Sequence, residues 1–262
     1  MAHGIQFELR DAIARLTLDR PEIGNALDIP MARELMELAI RCEGDAAIRC
    51  VLITGNGKLF CAGGDVGSFA RAGDKLPDFL REITAYLHAA HSALARMPKP
   101  LVVAVNGATA GAGIGLAACG DIVLADPAAS FMLAYTGIGM TPDGGTTWLL
   151  PRLVGLRRAQ ELCLTNRKLS AAEAAAIGLI TRVTESGKLA EEAGAAAAQL
   201  AAGATVALGN TRRLLLESFV NPFEAQMELE SRAIAAQART ADGREGIASF
   251  VEKRKPRFTG AN

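Results

Sequence analysis

The stretch Lys99–Asp126, KPLVVAVNGATAGAGIGLAACGDIVLAD, constrains the fold of this chain more than any other. It holds two uninterrupted apolar runs, LVVAV and IVLA, separated by a segment built almost entirely of small residues. Apolar runs without polar alternation are typical of parallel strands that are buried on both faces. Asn106 and the many glycines make the stretch unsuitable as a membrane span. The pattern therefore predicts an α/β core in which a short small-residue helix connects two central strands.

The rest of the chain predicts strands first and helices later. IQFELRDAIARLTLDRP predicts two strands joined by a turn at Arg10 and Asp11, and Asp28 is placed to cap the helix that follows. A helical stretch is predicted from Asp65 to Met97, and ASFMLAYTGIG predicts one or two short strands. From Gly144 onward nearly all segments have helical periodicity.

This order predicts a core of strand–strand–helix units over residues 1–205, which holds the functional site. Residues 206–262 are predicted to form a helical region. A helical appendage of this kind commonly packs against a neighbouring copy of the chain. We therefore expect a homo-oligomer.

Composition argues against several classes of protein. The chain has 28 acidic and 28 basic side chains, and this balance does not suggest a nucleic-acid or membrane surface. Its five cysteines are scattered without a CxxC pair, which favours neither a disulfide framework nor a zinc site. The N-terminal segment lacks an apolar signal core. We expect a soluble protein of the reducing cytoplasm.

Two glycine-rich turns predict a site for partial negative charge. LFCAGGDV, Leu59–Val66, follows a buried strand and opens a helix, and a second helix begins near Ala112 in TAGAGIG. Helix N-termini expose backbone N–H groups, and small residues allow a ligand to approach them closely. Two such N–H groups could converge on one oxygen as an oxyanion hole. The alternative for the first turn is a plain strand-to-helix connection.

A dinucleotide fingerprint is the competing interpretation of the second turn. Gly113, Gly115 and Ala118 match GxGxxA, and Asp126 ends the next strand. A Rossmann crossover needs about 20 residues between the glycines and the acidic residue, with a full helix between them. The segment GLAACG leaves room for fewer than two helical turns. The spacing therefore disfavours nucleotide binding.

Asp143 lies in MTPDGGTTWLL between a proline and two glycines, with no basic residue nearby in sequence. An aspartate before Gly-Gly-Thr-Thr is a natural helix N-cap. A carboxylate among apolar residues can also serve as a proton-transferring base. Both interpretations of Asp143 remain open at this point.

Several motifs together resemble the enoyl-CoA hydratase/isomerase, or crotonase, superfamily. They are LTLDRPEIGNALD, FCAGGD, AVNGATAGAGIGLAACGDIVLA, GMTPDGGTTWLLPRLVG and the C-terminal REGIASFVEKRKPRFTG. The resemblance runs nearly end to end. It implies a crotonase-like spiral of strand–strand–helix units, a helical C-terminal trimerisation region, and trimers that often pair into hexamers. It also implies an acyl-CoA substrate and no separate cofactor, since coenzyme A enters as part of the substrate.

The resemblance also implies roles for individual residues. By motif position, Ala62 and Ala112 supply the two oxyanion N–H groups. The residues implied to bind the CoA thioester are Ala26, Leu27, Ala62, Gly63, Gly64, Asp65, Val66 and Ala112. No metal ligand is implied.

Two departures from the family pattern bear on the reaction. The hydratases of the family use two glutamates to activate water, and this chain has Gly115 and Ala134 at the positions aligned with them. Asp143 remains as the one acid, and the motifs are most similar to the 1,2-epoxyphenylacetyl-CoA isomerase branch. Members of that branch open a ring epoxide to an oxepin and shift double bonds. The resemblance therefore favours an isomerase with Asp143 as a single catalytic base; the alternatives are a hydratase and a non-catalytic acyl-CoA-binding protein.

Four further features allow more than one interpretation. His88 and His91, in HAAH, are interpreted as packed or solvated helix residues rather than a metal pair, since no third ligand is evident. Cys61 is interpreted as a small buried residue rather than a nucleophile. Tyr135 and Trp148 fill the core or shape the acyl pocket. The basic segment 252–258 is a solvated tail or a contact for CoA phosphates.

Overall fold

A computed structural model describes residues 4–260 of the chain. Within that range the chain forms ten β-strands and eleven α-helices. The strands are β1 (Ile5–Arg10), β2 (Ile13–Leu18), β3 (Cys50–Gly55), β4 (Leu59–Cys61), β5 (Leu101–Val105), β6 (Ala108–Ala110), β7 (Ile122–Ala125), β8 (Ser130–Met132), β9 (Leu169–Ser170) and β10 (Arg182–Val183). The helices are α1 (Ile29–Gly44), α2 (Val66–Ala72), α3 (Leu76–Arg96), α4 (Ala112–Ala118), α5 (Thr146–Val154), α6 (Leu156–Thr165), α7 (Ala171–Ala176), α8 (Leu189–Ala201), α9 (Thr205–Glu217), α10 (Phe223–Gln237) and α11 (Ala241–Val251).

The strands form two sheets. The larger has the order β1-β2-β3-β5-β7-β10, and all of its pairs are parallel except the β1–β2 hairpin. The smaller has the order β4-β6-β8-β9, with β8 and β9 antiparallel. The α/β class predicted from the sequence is confirmed.

The fully apolar strand β5 is explained by burial of both faces of the large sheet. Val103 and Val105 face the main core, which also contains α1 and α3. Val102 and Ala104 face a second core formed with the alanine-rich face of α8. Because successive side chains of a strand point to opposite faces, both sets must be apolar.

Two local predictions need correction. The hairpin turn lies at Asp11 and Ala12, which both adopt positive φ, so it begins one residue later than predicted. The helical stretch after Asp65 is two helices, since a 3-10 turn at Gly73–Lys75 separates α2 from α3. The prediction of one or two short strands in ASFMLAYTGIG is confirmed, since the stretch contains one strand followed by a 3-10 turn at Thr136–Ile138. The predicted Asp28 cap is confirmed, because its side chain accepts a hydrogen bond from the Met31 N–H.

The small sheet brings three turns to one place. Strands β4, β6 and β8 are parallel neighbours, and each is followed by a turn that leads into a helix. The turns are residues 62–65, Gly111, and the longer loop 133–145. Since parallel strands end at the same edge of a sheet, these three turns meet there, which is where α/β proteins usually bind ligands.

The C-terminal helices are joined to the core by a buried arginine. Arg212 of α9 donates to the carbonyl oxygens of Leu94, Ala95, Met97 and Lys99 at the end of α3. Its Nε also lies 2.7 Å from the carboxylate of Asp121, which precedes β7. The predicted boundary at residue 205 falls at the first residue of α9.

In the described part of the chain, none of the helices has both the length and the apolar character needed to cross a bilayer.

We expect Arg212→Met to lower the free energy of unfolding by about 3–5 kcal/mol, because it leaves the Asp121 carboxylate and several carbonyl groups without the buried guanidinium that binds them. Arg213→Met is the matched control, since the neighbouring Arg213 makes only a half-exposed pair with Glu217 and should cost about 0.5 kcal/mol or less. Urea denaturation followed by circular dichroism measures both. Equal stability of the two variants would contradict the anchoring role of Arg212.

Candidate active site

A cavity of about 340 Å³ lies where β4, β6 and β8 end. Most of its wall is apolar and comes from the three turns and from one face of α2 and α3. The polar side chains that line it are Arg81, Thr84, Tyr135, Thr141 and Asp143. Such a cavity, apolar with a few polar groups at one place, is typical of a site for a largely apolar ligand.

The first turn offers a backbone donor, but not the one predicted. The Ala62 N–H donates to the Gly24 carbonyl oxygen at 2.9 Å, so it is not available to a ligand. Gly64 lines the same cavity, and its N–H has no hydrogen-bond partner among residues 4–260. A bridge to Leu27 fixes Gly64, because the Leu27 N–H donates to Gly63 and the Leu27 carbonyl accepts from Asp65. The prediction for Ala62 is therefore wrong, and in this turn the Gly64 N–H is the group without a partner in the described part of the chain.

The second turn offers the other donor. Gly111 has a φ of 51° and Ala112 begins α4, with an N–H that has no partner in the described part of the chain. A Cβ at Gly63 would lie 2.9 Å from the Ala110 oxygen and 3.3 Å from the Ala112 nitrogen. The two turns therefore touch through their backbones. Gly64 and Ala112 consequently present free N–H groups to one cavity.

The Asp143 side chain faces this cavity and does not cap a helix. Helix α5 begins at Thr146 with Gly145 as its N-cap, and no side chain caps it. Asp143 Oδ1 accepts from the Tyr135 hydroxyl at 2.7 Å, and Asp143 Oδ2 lies 3.9 Å from His88 Nε2. Burial, together with the neighbouring Asp143 carboxylate, raises the pKa of Tyr135, so that its hydroxyl stays protonated and donates. Tyr135 thus orients the carboxylate through Oδ1, while Oδ2 accepts no hydrogen bond from the described residues.

His88 and His91 both bind the loop that carries Asp143. His88 Nε2 accepts from the Gly144 N–H at 3.1 Å, and His91 Nδ1 lies 2.8 Å from the Gly144 oxygen. Within residues 4–260 no group of three or more His, Cys, Asp or Glu side chains is placed to hold a metal ion. The i, i+3 spacing puts both rings on one face of α3, but no sequence pattern predicts Gly144 as their partner.

Positions 115 and 134, which align with the two glutamates of the family's hydratases, carry no carboxylate in this chain. A Cβ at Gly115 would lie 2.7 Å from the Gly144 oxygen and 3.3 Å from His91 Cε1. The loop and its histidine therefore occupy the space that a side chain at 115 would need. Ala134 lines the cavity with a φ of 61°, and it contributes only a methyl group.

The other predicted residues divide into two groups. Leu27, Ala62, Gly64, Val66 and Ala112 line the cavity, whereas Ala26, Gly63 and Asp65 are not part of its wall. The Asp65 carboxylate instead caps α2 and bonds to Ser68.

Other features of the sequence lie outside the cavity. Burial raises the pKa of Cys61 to about 12, so its thiol stays protonated and is a poor nucleophile. Trp148 lines a separate cavity behind the Asp143 loop. Within the basic segment 252–258, Arg254 pairs with Glu245 and Glu252, and none of these residues lines the substrate cavity.

Comparison with known proteins agrees with this geometry. The sequence model of the family described as enoyl-CoA hydratase/isomerase matches residues 8–261. The chain belongs to the enoyl-CoA hydratase/isomerase family. It is 42% identical to a Rhodobacter capsulatus protein named "Probable enoyl-CoA hydratase", over 98% of each chain. It is 38% identical to the 1,2-epoxyphenylacetyl-CoA isomerase of Escherichia coli, over 99% of this chain and all of that one. A crystal structure of an enoyl-CoA hydratase from Polaromonas sp. JS666 superposes with a TM-score of 0.93 at 33% identity, covering 97% of this chain and 99% of that one.

Membership of the enoyl-CoA hydratase/isomerase family confirms the predicted crotonase fold and makes the chain an acyl-CoA enzyme. One of these relatives is named as a probable hydratase and another as an isomerase. Which of the two reactions the chain performs therefore depends on the side chains of the cavity.

We expect Gly115→Ala to lower the free energy of unfolding by about 1–3 kcal/mol, because its Cβ would collide with the Gly144 oxygen. Gly194→Ala is the control: it lies inside α8 with no atom within 4 Å of the added Cβ, and it should stabilise the protein by about 0.5–1 kcal/mol. Urea titration of both variants tests the contact. A neutral effect at Gly115 would show that the Gly144 loop is not packed there.

Proposed function

We propose that this protein is an acyl-CoA isomerase in which the Asp143 carboxylate moves a proton along the acyl group. The N–H groups of Gly64 and Ala112 would bind the thioester oxygen. One observation carries the proposal: Asp143, oriented by Tyr135, lines the same cavity as both free N–H groups, and it is the only carboxylate of the described residues that does so.

The reaction follows from the chemistry of a conjugated thioester. Asp143 removes a proton from a carbon adjacent to the double bond or to the carbonyl group, and the electron pair of that C–H bond moves into a dienolate. The negative charge comes to rest on the thioester oxygen, where two N–H donors stabilise it. The protonated Asp143 then returns the proton to a different carbon. One base therefore completes the cycle, and no atom is gained or lost overall.

The acyl group is proposed to be unsaturated and largely apolar. The wall of the cavity is formed mainly by Leu80, Ile83, Leu87, Leu133 and Ile138, which suits a hydrocarbon chain or a ring. The substrate named for the Escherichia coli relative is 1,2-epoxyphenylacetyl-CoA, and a Streptococcus mutans relative, 31% identical, is named for trans-2-decenoyl-[acyl-carrier-protein]. We therefore propose two substrate types, a ring epoxide of phenylacetyl-CoA, which would give an oxepin, and a linear enoyl-CoA.

Hydration of a 2-enoyl-CoA is the second candidate, because the relative with 42% identity carries the name of a hydratase. Hydration needs a positioned water and acid–base groups for both of its protons. Gly115 and Ala134 contribute no carboxylate to the cavity, and the loop at Gly144 fills the space beside Gly115. The side chains present therefore support isomerisation better than hydration.

We expect Asp143→Asn to lower kcat for double-bond isomerisation about 10²–10⁴-fold, since an amide keeps an acceptor for Tyr135 but cannot remove a proton. Binding of the acyl-CoA, measured by calorimetry, should be retained. Asp74→Asn, which changes an exposed carboxylate outside the cavity, is the control and should keep full activity.

Two outcomes would overturn the proposal. Undiminished turnover by the Asp143→Asn variant would remove Asp143 as the base. Rapid conversion of crotonyl-CoA to 3-hydroxyacyl-CoA by the unaltered enzyme, with oxygen taken from labelled water, would establish the hydratase instead.

We also propose that the chain assembles as a homotrimer or a hexamer. Its C-terminal helices expose large apolar side chains, among them Phe223 and Ile234 on α10 and Ile247, Phe250 and Val251 on α11. Phe250 is 86% exposed in the single chain, and an apolar surface of this kind is typical of a protein interface.

We expect Phe250→Glu to reduce the molar mass measured by light scattering during gel filtration, because a carboxylate would be buried in the interface. Ile40→Glu is the control, since Ile40 is exposed on α1, outside the C-terminal region. A monomeric unaltered protein, or an oligomer that both variants leave intact, would count against this interface.

A further inference from the structure

Both polar groups of Gly144 are held by histidines from one helix. The N–H donates to His88 Nε2 at 3.1 Å, and the carbonyl oxygen lies 2.8 Å from His91 Nδ1. His88 and His91 are three residues apart on α3, so their rings lie on the same side of that helix. We call this arrangement the histidine clamp.

The clamp fixes the tautomer of each ring. A backbone N–H can only donate, so His88 Nε2 must be an unprotonated acceptor, and the proton of the neutral ring must be on Nδ1. A backbone carbonyl can only accept, so His91 Nδ1 must carry a proton. Both rings therefore carry their proton on Nδ1 while they bind Gly144. His88 accepts this hydrogen bond at Nε2 only when its ring is neutral.

His91 is the fixed half of the clamp. It is buried, and burial lowers its pKa, which keeps the ring neutral. Its Nε2 has no hydrogen-bond partner among residues 4–260, so Gly144 supplies the only hydrogen bond of this ring. Gly115 and Gly144 pack against it so closely that a Cβ at either position would lie 3.3 Å from a ring atom. A ring packed this tightly has little freedom to turn.

His88 is the exposed half of the clamp and lies beside the carboxylate. Its side chain is 52% exposed, and its Nε2 is 3.9 Å from Asp143 Oδ2. It lines a second cavity of about 350 Å³, on the far side of Gly144 from the substrate cavity. Among the described residues, the charged and titratable groups near His88 are His91 and Arg96 on its own helix, Cys119 after α4, and Asp143 on the loop.

We propose that His88 and His91 are positioning residues that hold Asp143 in its proton-transfer geometry, an inference that rests on the proposed function of Asp143. Gly144 directly follows Asp143, so fixing its peptide groups fixes the backbone from which the carboxylate extends. Tyr135 then sets the orientation of the carboxylate itself. Loss of either histidine would free a polar group of Gly144 and let the carboxylate leave its proton-transfer geometry.

Kinetics of two His88 variants test the clamp. His88→Leu removes the acceptor and should lower kcat about 10–100-fold while KM changes less than about threefold, because misplacing a base affects the reaction step more than binding. His88→Gln retains an acceptor for the Gly144 N–H and should therefore keep most of kcat.

Ser92→Ala, which alters the wall of the second cavity without removing a bond to Gly144, is the control and should leave kcat unchanged. Circular dichroism and thermal unfolding establish that each variant is folded. Full activity of His88→Leu, or a folded His88→Gln variant as impaired as His88→Leu, would overturn the clamp.

The tautomers provide a test that does not depend on activity. Nitrogen-15 NMR of the imidazole rings at pH 8 should find the proton on Nδ1 in both His88 and His91. An Nε2–H form of either ring would refute the clamp even if Asp143 is the base. If Asp143→Asn keeps its activity while both rings show the Nδ1–H form, the base assignment fails and the clamp remains only as a structural contact.

Discussion

The contact between two backbones at Gly63 is the constraint on which the candidate active site depends. Gly63 lies so close to Ala110 and Ala112 that any side chain there would collide with main-chain atoms. Because the turns meet without side chains between them, the N–H groups of Gly64 and Ala112 can face the same cavity. Each donor in an oxyanion hole typically contributes about 2.7–4 kcal/mol of transition-state stabilisation. In the proposed function, a side chain at Gly63 that separated the two turns would therefore be costly for the reaction.

A second backbone contact, at Gly144, holds the loop that carries Asp143 against helices α3 and α4. The Gly144 oxygen occupies the space beside Gly115, and both polar groups of Gly144 are bound by His88 and His91. One glycine therefore removes the room for a glutamate on α4 and at the same time holds the segment that carries Asp143. A single loop conformation therefore both excludes a side chain at position 115 and places Asp143 at the wall of the cavity.

The sequence was sufficient to predict the fold class and several of the residues that line the cavity. Uninterrupted apolar runs predicted the buried strands, since both faces of the large sheet are covered. Glycine-rich turns predicted the two loops that meet at the cavity, and the choice of Asp143 followed from the absence of glutamates at positions 115 and 134. The error at Ala62 has a physical cause: only the folded chain shows that the Gly24 carbonyl, far from the turn in sequence, already binds that N–H.

The sequence alone determined the kinds of groups available: apolar strands, bare turns, one aspartate in an apolar segment, and two histidines on one helical face. These are local properties, and periodicity and residue chemistry reveal them. The tertiary structure decided which of these groups meet. It turned Asp143 toward Tyr135 instead of toward the start of α5, assigned Gly144 to the two histidines, and left Gly64 rather than Ala62 free to donate. Each of these outcomes depends on contacts between segments distant in sequence, whose distances are set by the packing of the whole domain.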